Sequence, residues 1–177
     1  YNTGAANTTV TRALQGTGAN AAALAWAEAP SYDYGVVAVG NGISQYFTLI
    51  NNGGVPATGL TLFGISGHFT YYSSGVYPGT YGTCGTSLNP GQCCTVHVNY
   101  APLTSSPHST NMDMSYNDGA TGQNVQMTLM GQGANLAFIT ISDNPIYAYG
   151  TQATGSTSAH AFTINNIGTV SATSMTG

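Results

Sequence analysis

Short stretches in which apolar and polar residues alternate run along the chain, and Gly, Pro, Asn and Ser separate them. The stretch over residues 94–100 shows the alternation most clearly, because Val96, Val98 and Tyr100 fall on one face of a strand. No stretch has the 3.6-residue period of an amphipathic helix. The pattern therefore predicts short strands joined by turns, as is typical of an antiparallel β-sandwich.

Turn-forming residues bound the predicted strands, and residues 51–54, Asn-Asn-Gly-Gly, are the clearest turn. Residues 73–92, rich in Gly, Tyr and Thr, are predicted to form a long loop. In chain order, strands are predicted over 21–27, 34–40, 43–51, 58–65, 68–72 and 94–100, then one with Met112, Met114 and Tyr116 and one with Val125, Met127 and Leu129.

The sequence repeats itself after 115 positions, because residues 1–62 align without a gap on residues 116–177 with 25 identities in 62 pairs. A period of this length is that of a whole domain. The chain therefore divides into residues 1–20, which end one unit, residues 21–135, which form a complete unit, and residues 136–177, which begin another. We expect a window on a longer array, or a subunit that its neighbours complete.

Three segments of the complete unit match a known pattern. Residues 34–40 read Tyr-Gly-Val-Val-Ala-Val-Gly, and residues 129–133 read Leu-x-Gly-x-Gly. Residues 84–102 read Cys-Gly-x-x-Leu-x-Pro-Gly-x-x-Cys-x-Val-x-Val-x-Tyr-x-Pro. Together they resemble the choice-of-anchor D family, whose Ig-like domains are related to the ASPM–SPD-2–Hydin group and occur in tandem in secreted and surface proteins of bacteria.

The resemblance covers the complete unit and both partial units. It implies an all-β fold of tandem Ig-like antiparallel β-sandwich repeats, each of about 115 residues. It also implies an extracellular or cell-surface location and a structural module without a catalytic site of its own. Cys93 departs from the pattern, which has a different residue at that position.

Charged side chains make up only 3% of the residues, against roughly 25% in ordinary globular proteins, and Lys is absent. Nucleic-acid-binding proteins need clustered Lys and Arg to neutralise phosphates, so this composition excludes that class. No run of about 18 apolar residues occurs, which argues against direct membrane insertion of this segment. The remaining surface favours packing against copies of the chain, adjacent repeats of the same chain, or glycans.

The three cysteines lie close together in the sequence. Cys84 and Cys94 enclose a turn-forming Leu-Asn-Pro-Gly segment, which favours a disulfide between them; two reduced, buried thiols are the alternative. A disulfide would indicate an oxidising compartment outside the cytoplasm. By alternation Cys93 points to the opposite face, as a free thiol or as a crosslink to a neighbouring chain, or it replaces Cys94 in the bridge.

Patterns for catalysis and metal binding are missing from the sequence. The four histidines lack metal-ligand spacing and are expected to lie mostly at turns or on the surface. Glu28 and Asp143, which occupy equivalent positions in the repeat, are expected to be solvated loop acids. Paired carboxylates and a Gly-x-Ser-x-Gly turn are absent. We predict no enzyme activity, no metal site and no cofactor.

Tyrosines are the remaining candidates for contact with other molecules. Tyr71, Tyr72, Tyr77 and Tyr81 crowd the region of the long loop, where they could form a contact surface or cap the core. Two functions follow from these observations. The first is a structural repeat segment of a cell-surface or filament protein, and the alternative is an adhesin or carbohydrate-binding module that uses this tyrosine-rich loop.

Overall fold

The structure, a computed structural model, describes Gly4 and residues 9–73, 75–143 and 145–176. These residues form strands, turns and loops, without a helix. None of the described segments is therefore an apolar helix of membrane-spanning length. Alternation of apolar and polar residues favours strands, since it gives each strand one face for the core and one face for the outside.

Two sheets form the unit over residues 21–135. One sheet has four antiparallel strands, in spatial order β1 (Leu24–Trp26), β3 (Ile43–Asn51), β7 (Cys93–Tyr100) and β5 (Phe69–Tyr71). The other has five, in the order β2 (Ser31–Ala38), β9 (Gly122–Ala134), β8 (Pro107–Asn117), β4 (Ala57–Phe63) and β6 (Ser87–Leu88). The pair β2–β9 is parallel, and the other pairs in this sheet are antiparallel.

This order is that of an immunoglobulin-type sandwich. Strands β1, β3, β7 and β5 take the places of Ig strands A, B, E and D. Strands β2, β9, β8 and β4 take the places of A′, G, F and C. The predicted all-β, Ig-like antiparallel β-sandwich is therefore confirmed.

The hydrophobic core lies between the two sheets. Val96, Val98 and Tyr100 of β7 are fully buried, as the alternation predicts. Met112 and Met114 of β8 face them from the second sheet and are also fully buried. Each such side chain contributes about 1.5–3 kcal/mol by leaving water, which is the main force that holds the sheets together.

Most of the predicted strands differ from the observed ones by one to three residues at an end, and two differences concern the layout of the second sheet. Strand β2 begins at Ser31 rather than at residue 34, because its backbone pairs with β9 from Thr128 onward. The register then shifts between Asp33 and Val36, where Gly35 has a φ of 72° that favours glycine. The predicted loop over residues 73–92 contains β6, which pairs with β4.

A third, small sheet lies in residues 136–176 and consists of β10 (Ile139–Ile141) and β11 (Ile164–Asn166). Its register pairs Ile139 with Asn166, just as Leu24 pairs with Asn51 in the complete unit. Both pairs are related by the period of the sequence repeat. We call the unit that begins at residue 136 the second unit. Its described part thus reproduces the pairing of β1 with β3.

Candidate interaction surface

Asn51, at the end of β3, holds the start of the complete unit in place through hydrogen bonds of its side chain. The residue is fully buried, and its Oδ1 accepts hydrogen bonds from the backbone N–H of Ala23 (3.2 Å) and of Gly53 (2.9 Å). Its Nδ2 donates to the carbonyls of Val55 and Leu88, both at 2.9 Å. One side chain thereby ties β1, the turn after β3 and β6 together.

Asn166 does the same in the second unit. Its Oδ1 accepts from Phe138 N at 3.1 Å and from Gly168 N at 3.0 Å, and its Nδ2 donates to Val170 O at 2.8 Å. Each of these partners lies one repeat period beyond the corresponding partner of Asn51. The residues around Asn166 therefore have the same local hydrogen bonds as those around Asn51.

An aromatic cluster is repeated as well. In the complete unit Tyr32 contacts Tyr34 and Phe47 edge to face, with ring centroids 5.1 and 5.3 Å apart. In the second unit Tyr147 contacts its equivalents edge to face at 5.0 and 5.6 Å. The same three aromatic rings therefore contact one another in both units.

The two units differ in what covers these side chains. Five apolar residues of the second unit are 42–58% exposed, whereas their equivalents in the complete unit are only 0–7% exposed. We call these five the open face: Ile139, Ile141, Tyr149, Phe162 and Ile164. Their buried equivalents are Leu24, Trp26, Tyr34, Phe47 and Leu49. Contiguous exposed apolar patches on proteins are often sites of contact with other protein segments.

The described residues near the N-terminus are exposed in the same sense. Residues 9–20 form no strand, and Val10 and Leu14 are largely exposed. The equivalents of these residues are Val125 and Leu129 of β9, and Leu129 is fully buried. Residues 9–19 therefore correspond to β9. In the described part of the chain they have no equivalents of β2 and β8 beside them.

The structure joins Cys84 and Cys94 in a disulfide, with Cα atoms 4.8 Å apart. Both cysteines are buried at the edge of the core. Cys93 is exposed and carries a free thiol. It lies in β7 opposite Ile50 of β3, on the outer face, so its side chain is accessible to another chain.

Three of the four candidate tyrosines pack on their own unit. The hydroxyls of Tyr71 and Tyr77 donate to the carbonyls of Leu62 (3.4 Å) and Gly85 (3.0 Å). Burial, with the nearby Tyr71, raises the pKa of Tyr77 to about 12. The ring of Tyr72 stacks at 4.1 Å on His97. Tyr71 and Tyr77 thus cap the core, whereas Tyr72 covers His97 on the outer side of β7.

Tyr81 differs from the other three tyrosines. Its side chain is 77% exposed, and its φ of 66° places it in the left-handed region at a turn. Of the tyrosines predicted as a contact surface, Tyr81 is the one that the structure leaves open to solvent.

The expectation of surface histidines is wrong for His97, which is buried on the outer side of β7. Its ring lies between Tyr46 and Tyr72, with centroids 3.8 and 4.1 Å away. Nδ1 is 2.9 Å from Thr80 O, and Nε2 is 3.0 Å from Ser44 Oγ. Sequence alternation places His97 outward, and contacts with Tyr46, Tyr72 and Thr80 on this face bury it.

His68 and His108 form a second cluster, with ring centroids 3.7 Å apart. Nδ1 of His108 is 2.8 Å from the hydroxyl of Tyr100, and its Nε2 is 2.9 Å from Oγ1 of Thr104. Desolvation, together with the proximity of His68, lowers the pKa of His108. His108 also lines a cleft of about 450 Å³ with Asp33, Val36, Met130 and Gln132, among others.

The acids at equivalent repeat positions are bonded rather than simply solvated. The carboxylate of Glu28 accepts from the backbone N–H of Thr48 at 3.0 and 3.2 Å. The carboxylate of Asp143 lies 2.8 Å from Nε2 of His160 and 2.9 Å from Oγ of Ser142. Hydrogen bonds from His160 and Ser142 lower the pKa of Asp143. Glu28 thereby connects the residues after β1 to β3, and Asp143 connects the residues after β10 to His160, which the sequence pattern alone does not reveal.

Within the part of the chain that the structure describes, no three His, Cys, Asp or Glu side chains group as metal ligands. His68 and His108 are therefore a pair without a third donor. Their described partners are hydroxyls and a backbone N–H, which favour a structural cluster.

Comparison with known proteins gives structural neighbours only. No protein-family profile and no curated protein matches the chain. The VesB protease of Vibrio cholerae is similar with a TM-score of 0.50 and 15% identity, over 62% of this chain and 31% of that chain. A protein of unknown function from Porphyromonas gingivalis has a TM-score of 0.49 and 12% identity, over 66% of this chain and 49% of that chain. The ASH/PapD-like domain 7 of human CEP192 has a TM-score of 0.48 and 12% identity, over 74% of this chain and 99% of that domain.

The matched region spans about a third of the VesB protease and about half of the Porphyromonas gingivalis protein. At 15% identity the likeness to VesB concerns the fold alone, and it agrees with the sandwich described above. The resemblance to the choice-of-anchor D family stays a prediction.

Proposed function

We propose that this chain is a non-catalytic structural segment of a secreted bacterial protein. In this proposal Ig-like units of the choice-of-anchor D kind follow one another in a cell-surface or extracellular filament protein. Units contact adjacent repeats of the same chain or copies of the protein, and glycans on the surface are compatible with the same role.

One observation carries the proposal. The second unit repeats the β1–β3 pairing of the first in the same register, with the same asparagine bonds and the same aromatic cluster. A chain that starts the same fold twice at a fixed period is expected of an array. The Cys84–Cys94 disulfide supports an oxidising location, and the scarcity of charge supports packing against other copies.

The alternative is an adhesin or carbohydrate-binding module. Tyr81 favours it, since an exposed aromatic ring can stack on a sugar. A glycan array probed with the chain and with its Tyr81→Ala variant tests this alternative. Binding that the substitution abolishes supports the adhesin, and the Tyr77→Phe variant controls for loss of loop structure, because it keeps the packed ring.

The proposed function is tested on the native protein with an antibody against residues 21–135. Protease treatment of intact source cells should remove the antigen. The protein isolated from untreated cells should have an intact mass well above the 18.1 kDa of this chain, unchanged by reductant. An antigen that is protected until lysis contradicts the extracellular location. A mass near that of this chain contradicts the array, and multimers that dissociate only on reduction indicate crosslinking through Cys93.

A further inference from the structure

The complete unit shows what covers an open face of this kind. Strand β7 pairs antiparallel with β3 along its length, from Ile50 opposite Cys93 to Ile43 opposite Tyr100. Residues 158–166 are the equivalents of β3. Among the described residues their strand partner is β10, on the side that corresponds to β1. The side that corresponds to β7 has no partner strand in the described part of the chain.

Particular side chains fill the space above the aromatic cluster in the complete unit. The ring of Tyr34 packs on Phe69 of β5 and Tyr100 of β7, with centroids 5.9 and 5.5 Å away. The hydroxyl of Tyr34 donates to the carbonyl of Val98 at 3.0 Å. Tyr149, the equivalent of Tyr34, is 45% exposed. A matching cover must therefore supply two aromatic rings and a backbone carbonyl.

A second copy of this chain does not offer such a cover. Its β7 lies inside its own sheet, between β3 and β5. Its segments of described residues outside the complete unit lie in 9–20, 136–143 and 145–176, which correspond to most of β9 and to β1 through the first part of β4. None of these segments has the pattern of β7.

We propose that the open face binds a β-segment of the same kind as residues 69–100, supplied by the same polypeptide on the C-terminal side of the open face. The segment lies antiparallel along residues 158–166, with alternate apolar side chains against Phe162 and Ile164 and two aromatic rings against Tyr149. This inference rests on the proposed function as a repeat array and names the partner of its exposed surface.

The inference is tested by supplying that segment. Leu62 and Gly177 are equivalent in the repeat, so a second copy of residues 63–135 appended after Gly177 continues the unit in register. Cys93 is changed to Ser in every copy to prevent crosslinking. Hydrogen exchange of residues 138–142 and 162–167 is then compared between the 177-residue chain and the extended chain. We expect exchange to slow by about tenfold or more in the extended chain, because stable pairing protects amides.

The open face offers a matched pair of control substitutions on one strand. Phe162 belongs to the open face, whereas Ala161 is equivalent to Tyr46 on the outer side. Phe162→Asp should abolish the gained protection in the extended chain, and Ala161→Asp should retain it. Protection of residues 21–135 in the same samples shows that folding of the complete unit is intact.

Two results would overturn the inference. One is an extended chain in which residues 138–142 and 162–167 exchange as fast as in the 177-residue chain, while the complete unit stays protected. The other is protection of the open face in the 177-residue chain that rises with protein concentration, which would assign the face to a second copy. Neither result bears on the surface location or native mass, so failure here is distinguishable from failure of the proposed function.

Discussion

Asn51 and Asn166 show how a single residue specifies local structure in this protein. Each side-chain amide accepts hydrogen bonds from two backbone N–H groups and donates one to the backbone carbonyl four residues later. A hydrophobic side chain at this position would leave buried polar groups without partners, which is costly. The Asn-x-Gly pattern thus has a physical cause at both of its fixed positions. Gly53 approaches the backbone of Ala21 too closely for a Cβ atom.

Replacement of Asn51 by Ala is expected to lower the free energy of unfolding by about 3 kcal/mol or more, since several buried backbone groups lose their partner at once. Urea unfolding of the full chain measures the effect. Asn52→Ala is the matched control, because Asn52 is exposed and should change stability by less than about 0.5 kcal/mol. Equal effects of the two substitutions would contradict the role given to Asn51.

His108 is expected to make the complete unit less stable in mild acid. Its pKa in the folded state is lowered from 6.5 by desolvation and by His68, while Tyr100, Thr104 and Ser106 contact its ring. Well above pH 6.5 His108 is neutral in both states, and its contribution to stability does not change with pH. As the pH falls below this value, the unfolded state binds the proton first, so stability is lost.

This acid effect is measured as the shift in urea midpoint between about pH 7.5 and about pH 5. The shift should be smaller in the His108→Gln variant than in the unchanged chain. His68 faces His108, so His68→Gln should also reduce the shift by removing the like charge. An identical shift in all three proteins would show that other groups cause it.

Strands and the turns between them determine stability at the next scale. Cys84 and Cys94 join the start of β7 to the segment before β6, and they close a loop of 10 residues. The disulfide restricts the unfolded chain, whereas β7 itself is held by β3 and β5 on either side. The bridge therefore adds to a strand whose position is already fixed by pairing and burial.

Removal of the bridge in a Cys84→Ser/Cys94→Ser variant is expected to cost about 2–3 kcal/mol on the loop-entropy account. Denaturant unfolding with and without reductant checks this, and the variant should be insensitive to reductant. Cys93→Ser is the control and should unfold like the unchanged chain, since Cys93 is exposed and free. Loss of stability in the Cys93 variant alone would instead mean that this thiol takes part in the bridge.

At the scale of the whole molecule, the described residues form a closed core in the complete unit and an open face in the second unit. The complete unit buries its aromatic and aliphatic side chains between two sheets, and the open face exposes the equivalents of several of them. Because Arg12 is the only cation besides histidine, charge repulsion between copies is weak. Contacts made by such a surface should respond little to ionic strength.

Limited digestion with chymotrypsin should separate these two parts. Cleavage is expected first after exposed aromatic residues of the second unit, such as Phe138 and Phe162, because local opening there costs little. Mass spectrometry should find a resistant fragment that contains residues 21–135 with its disulfide intact. Loss of both units at the same rate would contradict the division of the chain into these units.

Sequence alone determined the strand pattern, the repeat and the candidate disulfide pair. The alternation that places Val96, Val98 and Tyr100 inward follows from the two-residue period of a strand, which is a local property. Identity at the repeat period requires no coordinates. These features were predictable because each depends on neighbours in the chain or on a direct comparison of the chain with itself.

Only the tertiary structure decided which side chains are covered. His97 lies on the outer face of its strand and is buried by a loop from elsewhere in the unit. Tyr71 and Tyr77 pack against the core, and Tyr72 packs on His97. The open face has the sequence pattern of a core, yet it is exposed because burial requires an opposing strand distant in the chain. Burial is a property of pairs of segments, so a pattern read along one segment cannot determine it.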